Sequence, residues 1–313
     1  MPAGTSGPGT TKSSLPRLII KNSMEIKKVI IPVAGLGTRF LPLSRAVPKD
    51  FWPLVDKPII QYIIEEVKKS GIKEIVFVVS PGQKTILNYF QKDKELEKTL
   101  VKRKKDKILK ELKDFEEIFE GIKFSHVIQK TPLGDGHALL QATKKLNKEA
   151  VAVSFGDDVV DSEEPALSQL INVFKTCNAP VIALKQVPKE KVPAYGVVAV
   201  EKIANHLYKI KKIIEKPELS EAPSDLVIVG KYILTPEVFQ YLKKATPSKK
   251  GEIILAEVFD KMLLEGKIIY GCELKGEWLE CGDKLKWLKS FFYLALKDPR
   301  FHDELRHYLK TIK

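Results

Sequence analysis

Four groups of residues in this 313-residue chain have the types and spacing to do chemistry. The first is Gly35-Leu36-Gly37-Thr38-Arg39, which follows the apolar, β-branched run Val29-Ile30-Ile31. A strand feeding a glycine-containing loop lets backbone N–H groups approach an anion closely, and Arg39 adds positive charge. The glycine spacing is neither that of the Walker loop nor that of the dinucleotide fingerprint, and glycine pairs after strands are also ordinary turns. Nearby Lys49 sits between Val47-Pro48 and Phe51-Trp52-Pro53. This context resists a regular helix and sets the lysine apart from a solvated surface charge.

The second group is Gly156-Asp157-Asp158, at the end of the apolar run 151–155. A carboxylate at the carboxyl edge of a parallel strand lies where α/β proteins bind ligands, and Asp is a hard oxygen donor suited to Mg²⁺ beside phosphates. A turn or capping aspartate is the plainer reading of the same residues. The third group is Glu215-Lys216-Pro217, with Tyr195-Gly196-Val197-Val198 upstream. An acid and a base there suit sugar hydroxyls and a sugar phosphate, or else form an exposed ion pair of little consequence. The fourth is Trp278-Leu279-Glu280-Cys281-Gly282-Asp283-Lys284, where Glu280 offers a second carboxylate for a metal. Cys281 reads as a small packing residue and His137 as a structural histidine near a helix start.

Positioning these groups requires an alternation of strands and helices. Ile60, Ile63, Ile64 and Val67 fall at helical spacing, Gly71 closes that helix, and 75–79 is a continuous apolar run typical of a central strand. Residues 91–120 suit one or two amphipathic helices with solvated charged faces. Further strands are expected at 123–129, 151–155, 181–184, 197–200, 209–214, 226–234 and 267–274, with helices at 138–143, 236–244 and 252–265 and a basic helical end from 285. The pattern predicts an α/β fold, a Rossmann-like mixed and mostly parallel sheet with helices on both faces. Residues 1–23, rich in Gly, Pro, Ser and Thr and lacking acids, read as a disordered leader without a signal peptide. Met24 reads as the biological start, 24–284 as one catalytic α/β domain, and 285–313 as a C-terminal helical extension.

The formal net charge of +13 raises nucleic-acid binding, and its distribution argues against it. The lysine-dense stretch 91–120 carries ten basic and nine acidic residues, while the end from 284 carries eight basic and three acidic. The excess is dispersed and fits anionic substrates. Three widely spaced cysteines suit neither a disulfide framework nor a zinc site, which points to a reducing, cytoplasmic setting. No apolar run reaches the length of a bilayer span.

Taken in order, Ile31-Pro32-Val33-Ala34-Gly35-Leu36-Gly37-Thr38-Arg39, Pro48-Lys49-Asp50, Leu54-Val55-Asp56-Lys57-Pro58, Gln129 with Pro132-Leu133-Gly134, Ala194-Tyr195-Gly196-Val197-Val198, Glu215-Lys216-Pro217, Ile228-Val229-Gly230 and Cys281-Gly282-Asp283-Lys284 resemble the bacterial UTP–glucose-1-phosphate uridylyltransferases, or UDP-glucose pyrophosphorylases. The likeness covers about residues 27–313. It implies that Ala34, Gly35, Gly37, Thr38 and Arg39 wrap the triphosphate of UTP and that Gln129 and Gly134 read uracil. It further implies that Gly196 and Glu215 contact the sugar, that Lys216 binds its phosphate, and that Asp157 and Glu280 hold Mg²⁺. Arg39, Lys49 and Asp157 become the catalytic residues, and a homodimer or homotetramer is implied. The reaction would be attack of glucose 1-phosphate on the α-phosphorus of UTP, giving UDP-glucose and pyrophosphate. Another base or sugar, or a weakly active regulatory paralogue, is the alternative.

Four departures from the family pattern stand out. Glu280 replaces an Asp, and Asp50 a Glu. Asp135 in Gly134-Asp135-Gly136-His137-Ala138 places an acid beside the implied base pocket. The segment 251–257 lacks the family's usual polar positions.

Overall fold

A computed structural model of the chain describes residues 25–312. The expected leader 1–23 and start at Met24 lie outside the described residues. Thirteen strands and ten α-helices follow among them. In chain order the strands are β1 (Lys28–Pro32), β2 (Pro53–Leu54), β3 (Lys57–Pro58), β4 (Glu74–Val79), β5 (Lys123–Ile128), β6 (Val151–Ser154), β7 (Asp158–Asp161), β8 (Val181–Gln186), β9 (Gly196–Ala204), β10 (Leu207–Glu215), β11 (Leu226–Leu234), β12 (Tyr270–Glu273) and β13 (Glu277–Glu280). The helices are α1 (Ile59–Lys69), α2 (Thr85–Tyr89), α3 (Lys94–Lys102), α4 (Asp106–Glu117), α5 (Asp135–Ala142), α6 (Ala166–Cys177), α7 (Pro236–Lys244), α8 (Leu255–Leu264), α9 (Lys284–Lys297) and α10 (His302–Thr311).

Nine strands form one sheet in the order β5-β4-β1-β6-β11-β8-β12-β10-β9. Its side chains alternate between two cores, as a pleated strand requires. Val29, Ile31 and Val33 of the first strand and loop join Ile75, Phe77 and Val79 against α1 and α6. Ile30, Val76 and Val78 face the opposite way, toward α5, α7 and α8. Helix α1 forms because Ile60, Ile63, Ile64 and Val67 make one continuous buried stripe. It stops at Gly71, whose φ of +80° lets the chain turn back, with Ile72 N bonding to Val67 O at 3.3 Å.

The mixed sheet between helices agrees with the sequence expectation, but its parallel part is smaller. β5-β4-β1-β6 is parallel throughout. β11 then runs antiparallel to both β6 and β8, and β10 runs antiparallel to β12 and β9. Only β8–β12 is parallel in that half. For β9 and β10 the reason is local: the short turn Asn205-His206 joins them and admits only an antiparallel neighbour.

Helix α5 begins three residues before the expected start, and α8 begins at Leu255 rather than 252. Residues 252–254 stay extended because Ile253 N donates to Leu133 O (2.8 Å) and Ile253 O accepts from Gly136 N (2.9 Å). Helices α2 and α6 and the short β2–β3 pair escaped the sequence reading. So did a separate two-stranded ribbon, β7 with β13, whose antiparallel register sets Asp158 opposite Glu280. Helix α9 lies on this ribbon and on β2, and α10 packs against α9. Trp287 donates its indole N–H to Pro53 O (3.0 Å) and meets Trp52 edge-on at 4.9 Å, while Trp52 meets Phe40 at 4.4 Å. Helix α9 thereby braces the segment that carries Arg39 and Lys49. No helix of the described residues is long and apolar enough to cross a membrane, and Cys177, Cys272 and Cys281 are all free.

Candidate active site

Two adjoining cavities open at the carboxyl edges of β1 and β6. The first, of about 480 Å³, is lined by Ala34, Gly35, Gly37, Thr38, Arg39, Lys49, Gln129, Gly134 and Asp157. The second, of about 300 Å³, is lined by Gly196, Glu215, Lys216, Tyr195 and Glu280, again with Arg39 and Asp157. Every site residue expected from the sequence thus reaches one cavity or the other. Arg39, Asp135, Phe155, Asp157 and Gly282 belong to both and form the partition.

In the first cavity, Gly37 adopts φ +62° and packs so closely that a Cβ would lie 3.2 Å from Ser44 Cβ. The left-handed φ favours glycine there, and a side chain would in addition press on Ser44. Lys49 opens a single 3₁₀ turn, Lys49–Phe51, and its ammonium donates to Asp157 Oδ2 at 2.5 Å. Burial opposes its charge, but the carboxylates of Asp157 and Asp50 outweigh burial and raise its pKa. Asp157 is likewise opposed by burial, yet the charge and hydrogen bond of Lys49 hold its carboxyl below the usual range.

Behind this pair Asp50 is 1% exposed, its Oδ1 has no hydrogen-bond partner, and burial pushes its pKa up to about 6 against the pull of Lys49. A Cβ on Gly156 would lie 2.7 Å from that same oxygen. The glycine before Asp157 is therefore required by Asp50. Asp158 accepts from the Trp278 indole N–H at 2.8 Å, and burial together with the neighbouring Asp157 raises its pKa to about 7.

At the other end of the first cavity, Gln129 is buried at the end of β5. Its amide nitrogen donates to Gly134 O (3.1 Å) and to His137 Nδ1 (3.0 Å). His137 Nε2 then carries the ring proton, and the Gln141 amide 3.0 Å away must turn its oxygen toward it. His137 positions Gln129, in keeping with its structural reading. Gly134 has φ +93°, and a Cβ there would lie 2.5 Å from Ile253 O.

Asp135 lines the first cavity next to Gly134, and it also lines the second. It lies in the partition, and its Oδ1 accepts from Gly136 N (2.7 Å) and Leu255 N (3.0 Å). One oxygen thus caps the starts of both α5 and α8. Burial raises its pKa to about 6, the two backbone N–H groups pulling the other way. The segment 251–257 also lines the site: Glu252 reaches the first cavity, and Ile254 and Ala256 the second.

In the second cavity the β9–β10 register pairs Glu215 with Gly196, and a Cβ on Gly196 would lie 3.0 Å from Glu215 Oε2. Lys216 follows with φ +48°, a conformation costly for a side-chain-bearing residue. Its N–H bonds to Tyr195 O at 3.0 Å. The ammonium lies 3.5 Å from Glu215 Oε1 and remains 57% exposed, so it is available to an incoming anion.

Asp157 and Glu280 approach each other across Gly282. An added Cβ there would lie 3.6 Å from Asp157 Oδ2 and 3.5 Å from Glu280 Oε1, and Arg39 Nη1 donates to Gly282 O at 3.3 Å. Neither carboxylate is free. Asp157 is held by Lys49, while Glu280 accepts from Tyr195 OH at Oε2 (2.7 Å) and from Lys286 at Oε1 (2.6 Å). No group of three or more His, Cys, Asp or Glu suited to a metal occurs among the described residues. The sequence reading missed Lys286 and the tyrosine's hydroxyl contact.

The nucleotidyl transferase family model matches residues 28–294. The UTP–glucose-1-phosphate uridylyltransferase of Staphylococcus haemolyticus is 39% identical over 291 residues, which span 92% of this chain and 99% of that protein. The UTP-bound UDP-glucose pyrophosphorylase of Acinetobacter baumannii superposes with a TM-score of 0.83 at 34% identity, covering 92% of this chain and 100% of that one. A UDP-glucose pyrophosphorylase solved with UDP-glucose gives a TM-score of 0.79 at 32% identity, covering 88% and 100%. The chain accordingly belongs to the nucleotidyl transferase family, in its UTP–glucose-1-phosphate uridylyltransferase branch.

Proposed function

We infer that this chain transfers a uridylyl group from UTP to glucose 1-phosphate, releasing pyrophosphate and forming UDP-glucose. The observation that carries this reading is the partition: two cavities, each lined by one of the expected residue sets, meet at Arg39 and Asp157. In this assignment Gly35, Gly37, Thr38 and Arg39 cradle the triphosphate, and Gln129 and Gly134 take the uracil. Gly196 and Glu215 take the sugar, and Lys216 its phosphate.

The nucleophile is already an anion, so neither a base nor a covalent intermediate is needed. Catalysis consists of holding two anions in line and offsetting their repulsion. Arg39, Lys49 and Lys216 supply that charge. Lys49 is half-buried and paired with Asp157, so it is preorganised toward the partition rather than recruited from solvent.

Divalent cations serve this family. Two hard carboxylates flanking a glycine that leaves the space between them open fit such an ion, and Asp157 and Glu280 would hold it. Bound there, Mg²⁺ would polarise phosphate oxygens as a Lewis acid. Assembly as a homodimer or homotetramer and a cytoplasmic location belong to the same reading. The test is pyrophosphate release from each nucleoside triphosphate with glucose 1-phosphate and Mg²⁺. Turnover should be fastest with UTP. Retained nucleotide binding without turnover for any pair would overturn the assignment.

A further inference from the structure

We propose that Lys286 is an internal counter-ion that occupies Glu280 in the metal-free protein and must leave it when a divalent cation binds. The proposal rests on the assignment of Glu280 as a metal carboxylate. Lys286 stands in the first turn of α9, three residues after the Asp283 cap that accepts its backbone N–H at 3.0 Å. The positive end of a helix is an unfavourable place for a lysine. Its ammonium is placed there against acids, 2.6 Å from Glu280 Oε1 and 3.7 Å from Asp283 Oδ2. It also lies over the Tyr195 ring at 4.6 Å.

Holding and neutralising are divided between different partners. Tyr195 OH fixes Glu280 Oε2 at 2.7 Å and bears no charge, so the carboxylate stays anchored without the lysine. Lys286 occupies Oε1, the oxygen that faces the space beside Gly282. The two lysines at the paired carboxylates also differ. Lys49 lines the first cavity, where the phosphates lie in the proposed function. Lys286 lines neither substrate cavity. It borders a third cavity of about 830 Å³ beyond the wall formed by Tyr195, Trp278 and Glu280, where Asp283 and Glu277 are also exposed to the lining. That space can receive the ammonium when it is displaced. Lys286 therefore competes with the cation rather than assisting it.

The test is Mn²⁺ binding to nucleotide-free protein, followed by electron paramagnetic resonance, with no turnover required. Lys286→Met keeps the apolar stem over Tyr195 and removes the charge; it should tighten Mn²⁺ binding about tenfold. In a Glu280→Gln background the same substitution should change nothing. Tyr195→Phe should weaken binding, as loss of an anchor would. On the wild-type chain, Lys286 should be labelled faster by an amine reagent when Mn²⁺ is saturating, read by peptide mass spectrometry. Equal or weaker Mn²⁺ binding in Lys286→Met, unchanged labelling, or no Mn²⁺ binding by either protein would overturn the proposal. A chain that shows the tightening but releases no pyrophosphate from UTP and glucose 1-phosphate would overturn the transferase reading instead.

Discussion

Lys231 is completely buried on β11, with its ammonium 3.0 Å from Glu66 Oε2 and 3.0 Å from Ser154 Oγ. Glu66 is 8% exposed on α1, and its other oxygen accepts from Leu167 N at 3.1 Å, in the first turn of α6. One ion pair therefore ties the sheet to two helices, directly behind the β6 edge that delivers Gly156 and Asp157. Lys231→Met fills similar volume and strands the Glu66 charge in a site without solvent. Breaking a buried pair in this way costs about 3–5 kcal/mol. At about 2 °C per kcal/mol for a chain of this size, the melting temperature should fall by about 6–10 °C. The double variant Lys231→Met/Glu66→Gln removes both charges and keeps an acceptor for Leu167 N. It should recover about 2–3 kcal/mol of the loss, measured by thermal and guanidinium unfolding under circular dichroism. A single variant costing under about 1 kcal/mol, or a double variant no more stable than the worse single one, would refute this account.

Three further outcomes are expected. Lys49→Ala should cut kcat for pyrophosphate release by about 10²–10³ with the circular dichroism spectrum unchanged; intact kinetics would remove Lys49 from the mechanism. Gly156→Ala forces a methyl to within 2.7 Å of Asp50 Oδ1 and 3.0 Å of Val33 Cγ1, and should cost about 1–3 kcal/mol in denaturant unfolding. Asp135 titrates at about 6 in the folded chain against about 3.9 when unfolded. Its protonation therefore favours the fold below about pH 4, and that contribution is lost as pH rises through 6. Asp135→Asn keeps the acceptor for Gly136 and Leu255 and cannot titrate, so the variant should gain about 2–3 kcal/mol over wild type between pH 4 and pH 7.5. Parallel stability profiles would contradict the environment described for Asp135.

What could be read from the sequence was local. The strand and loop at 28–39 were legible because an unbroken apolar run and two glycines lie side by side, and α1 because four apolar residues keep helical spacing. Helix α6 carries a comparable signal in Leu167, Leu170, Ile171 and Phe174, which the expectations did not include. The β7–β13 ribbon was different in kind. Each strand has four residues, and the pairing joins Asp158 to Glu280 across more than a hundred residues. No periodicity announces such a contact. The same holds for Tyr195 on Glu280, 85 residues apart. Asp135 shows the opposite limit. Its position suggested a role at the base, and one of its oxygens is also taken up by two helix starts that only the folded chain brings together.

The partition between the two cavities carries a consequence for how substrate preference can change. Arg39, Asp135, Phe155, Asp157 and Gly282 face both compartments, so neither compartment has a private wall at the point where they meet. A substitution selected for a new sugar at one of these positions must register in nucleotide affinity as well. Independent drift is open only to the outlying residues, such as Gln129 on one side and Glu215 on the other. Divergence of donor and acceptor specificity should therefore proceed from the far ends of the cleft inward, with the shared wall the last part to change.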